Sequence, residues 1–490
     1  MRIRHASLLA FSSLCSFAVL IACGSDSSSS GGDVNATGGF PQGGYPSSGG
    51  FSSDTGGSSS SGGTAGSTSS GGNGPSTGGA SSGGGASSGG DTSSGGDTGS
   101  NDAGTGGDVG AGGSGAGGSG AGGAGPGGAG AGGSGAGGAG TGGGGNERPP
   151  FVPTGPALTA TDGTWTWIDV AGTKCRDGSA SGLAVSLKSA SKKVMIYLEG
   201  GGACFNSTTC GLNPANSAGQ RGAKTAGLFD RTNAKNPVKD WNYVYIPYCT
   251  GDVHVGTNDA GTIAGVAGTQ HFVGRLNMEK YLNRIVPTFP GVQQVLLTGI
   301  SAGGFGAAGN ADFVAWAFGS GPTFNLIDDS GPPMSTDYVP TCLQDAWRTT
   351  WGLDQSMLKD CGASCPKTND YLIDYSHFLA TKYSTTYSGV IDSQGDSIIS
   401  LFYGFGYDGG AKDCNGNILT AIPAATFKAG LLDFRSKMAS YPKFGTYFPT
   451  GTQHTWLGDG TLYTGTAGGT ALIDWVTAIV NNTGTSNAGN

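Results

Sequence analysis

Short apolar runs bounded by Gly, Pro or Asp recur along the last two-thirds of the chain: residues 194–198, 243–246, 295–298, 324–327 and 388–391. Runs this short and this apolar predict strands buried on both faces. Ahead of them, 164–170 and 183–187 alternate or carry β-branched residues, as a leading hairpin does. Residues 443–449 read as a further strand. Stretches 275–285, 304–318 and 397–402 suit helices, and 471–480 is an amphipathic closing helix. Buried runs alternating with helices predict an α/β fold, a mainly parallel sheet with helices on both faces.

Before Pro150 this patterning stops. The chain has 490 residues and 99 glycines, and more than half of the glycines precede Pro150. All 8 tryptophans follow it, and no Lys or Arg lies between Arg4 and Arg148. A segment so poor in large apolar side chains does not bury enough surface to offset chain entropy. Residues 23–149 are therefore expected to be a disordered Gly/Ser/Ala-rich linker, and 150–490 a folded catalytic domain. The Ala-Gly-Gly-Ser-Gly period of five excludes collagen, which needs Gly at every third position. Coiled coils and multi-span membrane proteins are excluded by the same composition. The net charge of −8 falls largely on the linker and leaves the domain nearly neutral. With no basic run, nucleic acid is not an expected partner.

The N-terminus reads as an address. Arg2 and Arg4 precede an apolar run over 8–21, too short to span a bilayer comfortably. It ends Leu20-Ile21-Ala22-Cys23-Gly24, which resembles the lipobox of bacterial lipoproteins. That resemblance implies a signal peptide over 1–22, lipidation at Cys23 and a cell-envelope protein, lipid-anchored or secreted, touching membrane only through its lipid. The linker would then be a tether spanning about 60 Å root-mean-square. Beyond Cys15 and Cys23 stand Cys175, Cys204, Cys210, Cys249, Cys342, Cys361, Cys365 and Cys414, an even set suited to disulfides in an oxidising compartment. Cys204/Cys210 and Cys361/Cys365 are close enough for local bridges; the full pairing stays open. No His accompanies them at zinc-finger spacing, so no metal site is expected.

The strongest chemical signal is Gly299-Ile300-Ser301-Ala302-Gly303, a G-x-S-x-G motif directly after a strand and before a helix. Such a turn holds the serine hydroxyl out at the carboxyl edge of the sheet, where the helix N-terminus favours developing negative charge. A nucleophilic serine needs a base, and the base an orienting acid. In the order Ser, acid, His, the base candidates are His454, in a Gly-containing loop after the last strand, and His377, in a helical stretch better suited to a structural role. The acid candidates are Asp396, Asp392 and the more distant Asp408, with Asp396 preferred. The run Glu199-Gly200-Gly201-Gly202-Ala203 supplies side-chain-free backbone, so the amides of Gly201, Gly202 and Ala302 are expected to form an oxyanion hole. Asp328, Asp329 and Ser330 follow a strand at the same edge, and with His254 are candidate pocket residues; His271 also precedes the serine.

Five blocks, Lys174-Cys-Arg-Asp-Gly-Ser179, Leu198-Glu-Gly-Gly-Gly-Ala-Cys-Phe-Asn206, Ile246-Pro-Tyr-Cys-Thr-Gly-Asp252, Gly299-Ile-Ser-Ala-Gly-Gly304 and Ile327-Asp-Asp-Ser-Gly331, resemble the pectin acetylesterase/Notum family of serine carboxylesterases. The resemblance implies an α/β-hydrolase fold, ester hydrolysis with no metal or cofactor, and a triad of Ser301, Asp396 and His454. Two departures stand out. Gly202 and Ala203 replace the family's aromatic after Glu-Gly-Gly, and Asp396 lacks the glutamine that usually follows the acid by three. The expected protein is a monomeric exported esterase removing an acyl group, an acetyl group first, from a polysaccharide such as pectin. The alternatives are a polyester-, feruloyl- or lipid-acyl esterase, or a non-catalytic carbohydrate-binding or adhesion module on the same fold.

Overall fold

The computed structural model describes residues 148–366, 370–407, 414 and 420–490. Cys23, Asp408 and all of the linker up to residue 147 lie outside the described residues. The chain first lays down β1 (Trp165–Asp169) and β2 (Gly182–Ser186), then β3 (Lys193–Leu198), α1 (Ser207–Leu212) and β4 (Asn242–Ile246). A small antiparallel pair follows, β5 (Asn258–Gly261) and β6 (Gln270–Phe272). Next come α2 (Gly274–Thr288), β7 (Gln294–Ile300), α3 (Ala302–Phe318) and β8 (Thr323–Asp329). Helices α4 (Thr341–Trp351), α5 (Met357–Cys361) and α6 (Tyr371–Lys382) separate β8 from β9 (Ser388–Ile391). The chain closes with α7 (Ile399–Tyr403), α8 (Ala424–Lys437), β10 (Phe444–Tyr447), α9 (Thr461–Thr464), a short β11 (Thr466–Ala467) and β12 (Thr470–Ala471) pair, and α10 (Leu472–Val480).

Eight strands form one sheet in the order β1-β2-β4-β3-β7-β8-β9-β10. β1, β2 and β4 pair antiparallel, and every neighbour from β4 to β10 pairs parallel. Apolar residues alternate between its faces. Val194, Ile196, Leu198, Val295 and Leu297 join a core with α2 and α3. Met195, Tyr197, Tyr243, Tyr245 and Leu296 join a second core with α10. The sheet is buried on both sides because both faces of its central strands are apolar, as the short runs predicted.

The chain leaves β3 toward β4 and later returns to β3's other side as β7. Loops after β3 and β7 therefore part in opposite directions and open a crevice at the carboxyl edge, where α/β sheets bind ligands. The glycine run follows β3 and Ser301 follows β7, so topology alone brings them together. Four disulfides join all eight predicted cysteines: Cys175–Cys249, Cys204–Cys210, Cys342–Cys414 and Cys361–Cys365. The two short-range bridges match the local pairs; the two long-range ones had no signal in spacing.

Candidate active site

Ser301 sits between β7 and α3 with φ 55° and ψ −123°, a backbone conformation costly for any side-chain-bearing residue. It is held because the surroundings are too close for anything else. A methyl on Gly299 would stand 2.6 Å from the Leu198 carbonyl oxygen, and one on Gly303 would stand 2.8 Å from that of Glu199. The Ser301 amide donates to the Asp329 carbonyl at 2.7 Å, tying the turn to the end of β8.

His454 lies in the loop after β10. Its Nδ1 is 2.7 Å from Asp396 Oδ2. Since a carboxylate only accepts, Nδ1 is the donor, which leaves Nε2 as the edge available to take a proton. Asp396 Oδ1 accepts from the Ile398 and Ile399 amides, at 2.8 Å each, so both its oxygens are fixed. Those two bonds tie down the entry to α7, which begins at Ile399 where 397–402 was expected to be helical. Of the three acid candidates, Asp396 meets the histidine. Asp392 lies behind it, fully buried, and burial pushes its carboxyl well up from the usual range, with the Asp396 charge adding to the effect.

Asp328, Asp329 and His254 do not line the pocket as expected; they lie behind its wall. Asp329 Oδ2 accepts the Trp456 and Leu457 amides, each at 2.7 Å, while its carbonyl receives Ser301. One residue thus braces the serine turn and the histidine loop together. Burial raises its carboxyl to about 6 despite those donors. Asp328 is raised well above the carboxylate range by burial and then by Asp329.

His254 Nε2 lies 2.9 Å from the Glu199 carbonyl oxygen, and burial lowers the ring to about 4, so the neutral ring donates there. Asn213 Nδ2 donates to the Gly201 carbonyl at 2.8 Å, and Arg176 in turn grips Asn213. These contacts turn the loop's carbonyls inward, with Gly201 at φ 150° and Gly202 at φ 76°. Among the described residues no group accepts from the amides of Gly201, Gly202 or Ala302. His271 pairs with Asp259 at the surface and His377 meets the Lys437 carbonyl, both away from Ser301.

Ser301 opens into a cavity with about 860 Å³ of non-atom space, part of it open to solvent. Its wall is apolar: Phe305 and Ala308 of α3, Trp347 and Trp351 of α4, Leu379 of α6, and Phe402. The hydroxyls of Tyr371, Tyr375 and Tyr403 are spent on backbone carbonyls of Gln344, Gly309 and Pro332. No lining residue carries a charge. Phe402 fills the space beside Gly202, where a Cβ would stand 3.1 Å from its ring. Sequence reasoning missed these wall residues, because they come from helices far from the motifs. Among the described residues no His, Cys, Asp or Glu cluster could hold a metal ion.

A family model described as pectinacetylesterase matches residues 159–382. The chain is 34% identical over 153 residues to palmitoleoyl-protein carboxylesterase notum2 of Xenopus laevis, covering 29% of this chain and 30% of that protein. Over these residues the chain is similar to the pectin acetylesterase/Notum family. The palmitoleoyl-protein carboxylesterase NOTUM of Drosophila melanogaster is 28% identical over 212 residues, 39% of this chain and 31% of that one. The match thus spans about a third of these relatives' length. The crystal structure of the Wnt deacylase Notum from Drosophila superposes with a TM-score of 0.51 at 22% identity, covering 65% of this chain and 94% of that one. The family's α/β-hydrolase fold is therefore this chain's fold. The family match ends before Asp396 and His454, which rest on the geometry above.

Proposed function

We propose that this chain is a serine carboxylesterase whose acyl group lies in the apolar cavity beside Ser301. The observation that carries the reading is the fixed Asp396–His454 pair, whose histidine sits on a loop that Asp329 ties to the serine turn. In the reaction, His454 Nε2 takes the Ser301 proton as Oγ attacks the ester carbonyl. The amides of Gly201, Gly202 and Ala302 receive the oxyanion. His454 then protonates the leaving alcohol, and water, deprotonated by the same ring, releases the acid. Asp396 keeps the ring oriented and stabilises its charged form.

The lining selects a hydrocarbon acyl group. From Ala302 to Gly309 the α3 wall runs about 10 Å, the reach of a medium-length alkyl chain. Each methylene buried there is worth about 0.8 kcal/mol, or about fourfold in kcat/KM. Acetyl removal from a polysaccharide such as pectin is the second reading, favoured by the family match. The four disulfides suit a protein acting outside a reducing cytosol. Lipid attachment at Cys23 is part of this proposal and is checked by mass spectrometry of the mature N-terminus.

A fluorophosphonate should label Ser301, and Ser301→Ala should abolish both labelling and hydrolysis. Unlabelled, folded wild-type protein would remove the esterase reading in favour of a binding module. On p-nitrophenyl esters from acetate to palmitate, kcat/KM should climb beyond butyrate; a maximum at acetate with release from acetylated pectin would establish the second reading.

A further inference from the structure

Asp392, like Asp328, is a buried acid at this edge to which the reaction above gives no task, and it is the one beside the triad's Asp396. It follows Ile391, the last residue of β9, and its amide continues the sheet by donating to the Tyr447 carbonyl at 3.0 Å. The chain then turns back on itself, with the Asp396 amide donating to the Ser393 carbonyl at 3.2 Å. This turn sets the Asp396 carboxyl beside that of Asp392, near enough for a hydrogen bond between them. Asp392 is 0% exposed, and neither of its oxygens meets a donor at good hydrogen-bond geometry among the described residues, the neighbouring Ser393 amide being the one backbone donor close to it. Asp396 cannot supply one as an anion, because Oδ2 already takes His454 and Oδ1 takes two amides.

The other groups around Asp392 make matters worse for a second charge. The Asp329 carboxyl lies near enough to oppose it, and Tyr403, close to both Asp392 and Asp328, gives its hydroxyl to the Pro332 carbonyl. Two bare carboxylates in a dry site conflict, whereas one proton between them turns repulsion into a charge-assisted hydrogen bond.

We propose that Asp392 is a positioning residue that stands as a neutral carboxylic acid and donates its O–H to Asp396, holding that carboxylate against His454. The proton stays within the pair throughout the cycle: Asp392 neither gives it to substrate nor takes one. The functional consequence rests on the esterase reading; the proton does not.

The test is an infrared difference spectrum between wild type and Asp392→Asn at pH 7, read at the carbonyl stretch of protonated carboxyls. The wild type should show a band that the variant lacks. Asparagine keeps a neutral donor, so kcat should stay within about threefold of wild type with KM unchanged. Asp392→Val has no donor, and kcat should fall about tenfold or more at unchanged KM. The Asn variant should also keep its activity to higher pH than wild type, having no proton to lose there. No band difference between two folded proteins, or an Asn variant as impaired as Val, would overturn the proposal. If Val does not fold, the infrared and pH comparisons with Asn still decide. Failure of Ser301 to take a fluorophosphonate would instead remove the esterase reading and leave the band untouched.

Discussion

At the scale of single residues, the site depends on close approach. Gly200 borders Ser301 so tightly that a methyl would stand 2.8 Å from the Ile300 carbonyl oxygen and 3.0 Å from Ser301 Cβ. Gly200→Ala should therefore push the glycine loop away from the serine turn, lowering kcat by about tenfold or more and stability by about 1–3 kcal/mol. Esterase kinetics and urea unfolding check the two together. His254 offers a pH signature. Its folded ring stays neutral down to about 4, while the unfolded chain takes a proton near 6.5. The unfolded state thus binds more protons in that window, and this group's stabilisation is lost as pH falls from about 6.5 to 4. His254→Gln keeps a donor for the Glu199 carbonyl but has no proton to gain. The stability gap between wild type and His254→Gln should narrow by about 3 kcal/mol over that range, measured by denaturant unfolding at each pH.

At the scale of elements, the decisive joint is β8 to the histidine loop. Asp329 ends the strand and receives two amides of a loop more than a hundred residues later in the chain. Asp329→Ala should leave both amides without a partner, cost about 2–4 kcal/mol and lower kcat more than it raises KM, because His454 loses its position. Asp329→Asn, which keeps an acceptor, should recover most of the loss. Steady-state kinetics of the pair separate this bracing from simple unfolding. The sequence placed Asp329 at the correct edge, since it ends an apolar run. What it receives was not legible, because the partner amides carry no sequence signal. The choice between Asp396 and Asp392 has the same character: both follow β9, and only the turn at 393–396 decides which one meets the ring.

At the scale of the molecule, the cavity and the disulfides are both products of long-range assembly. Ala308→Phe, in the α3 wall, should fill part of the cavity and reduce kcat/KM for long-chain esters while sparing acetate and butyrate. A chain-length profile reads this directly. Cys175–Cys249 closes a separation of 74 residues, and Cys204–Cys210 one of 6. Replacing the first pair by serine should cost about 4 kcal/mol and the second about 2 kcal/mol, from the entropy each loop regains on unfolding. Urea midpoints of the two double variants test the order.

The amino-acid sequence alone determined the alternation of strands and helices, the serine turn and the glycine loop. These are local properties, written in composition, in periodicity, and in the need for glycine where backbones nearly touch. Tertiary structure decided which aspartate meets His454, why Asp329 matters, how distant cysteines pair, and that Trp347, Trp351 and Phe402 form an uncharged wall beside Ser301. Those depend on which segments the sheet order brings side by side. That choice belongs to the whole chain's packing, so no short stretch of residues records it.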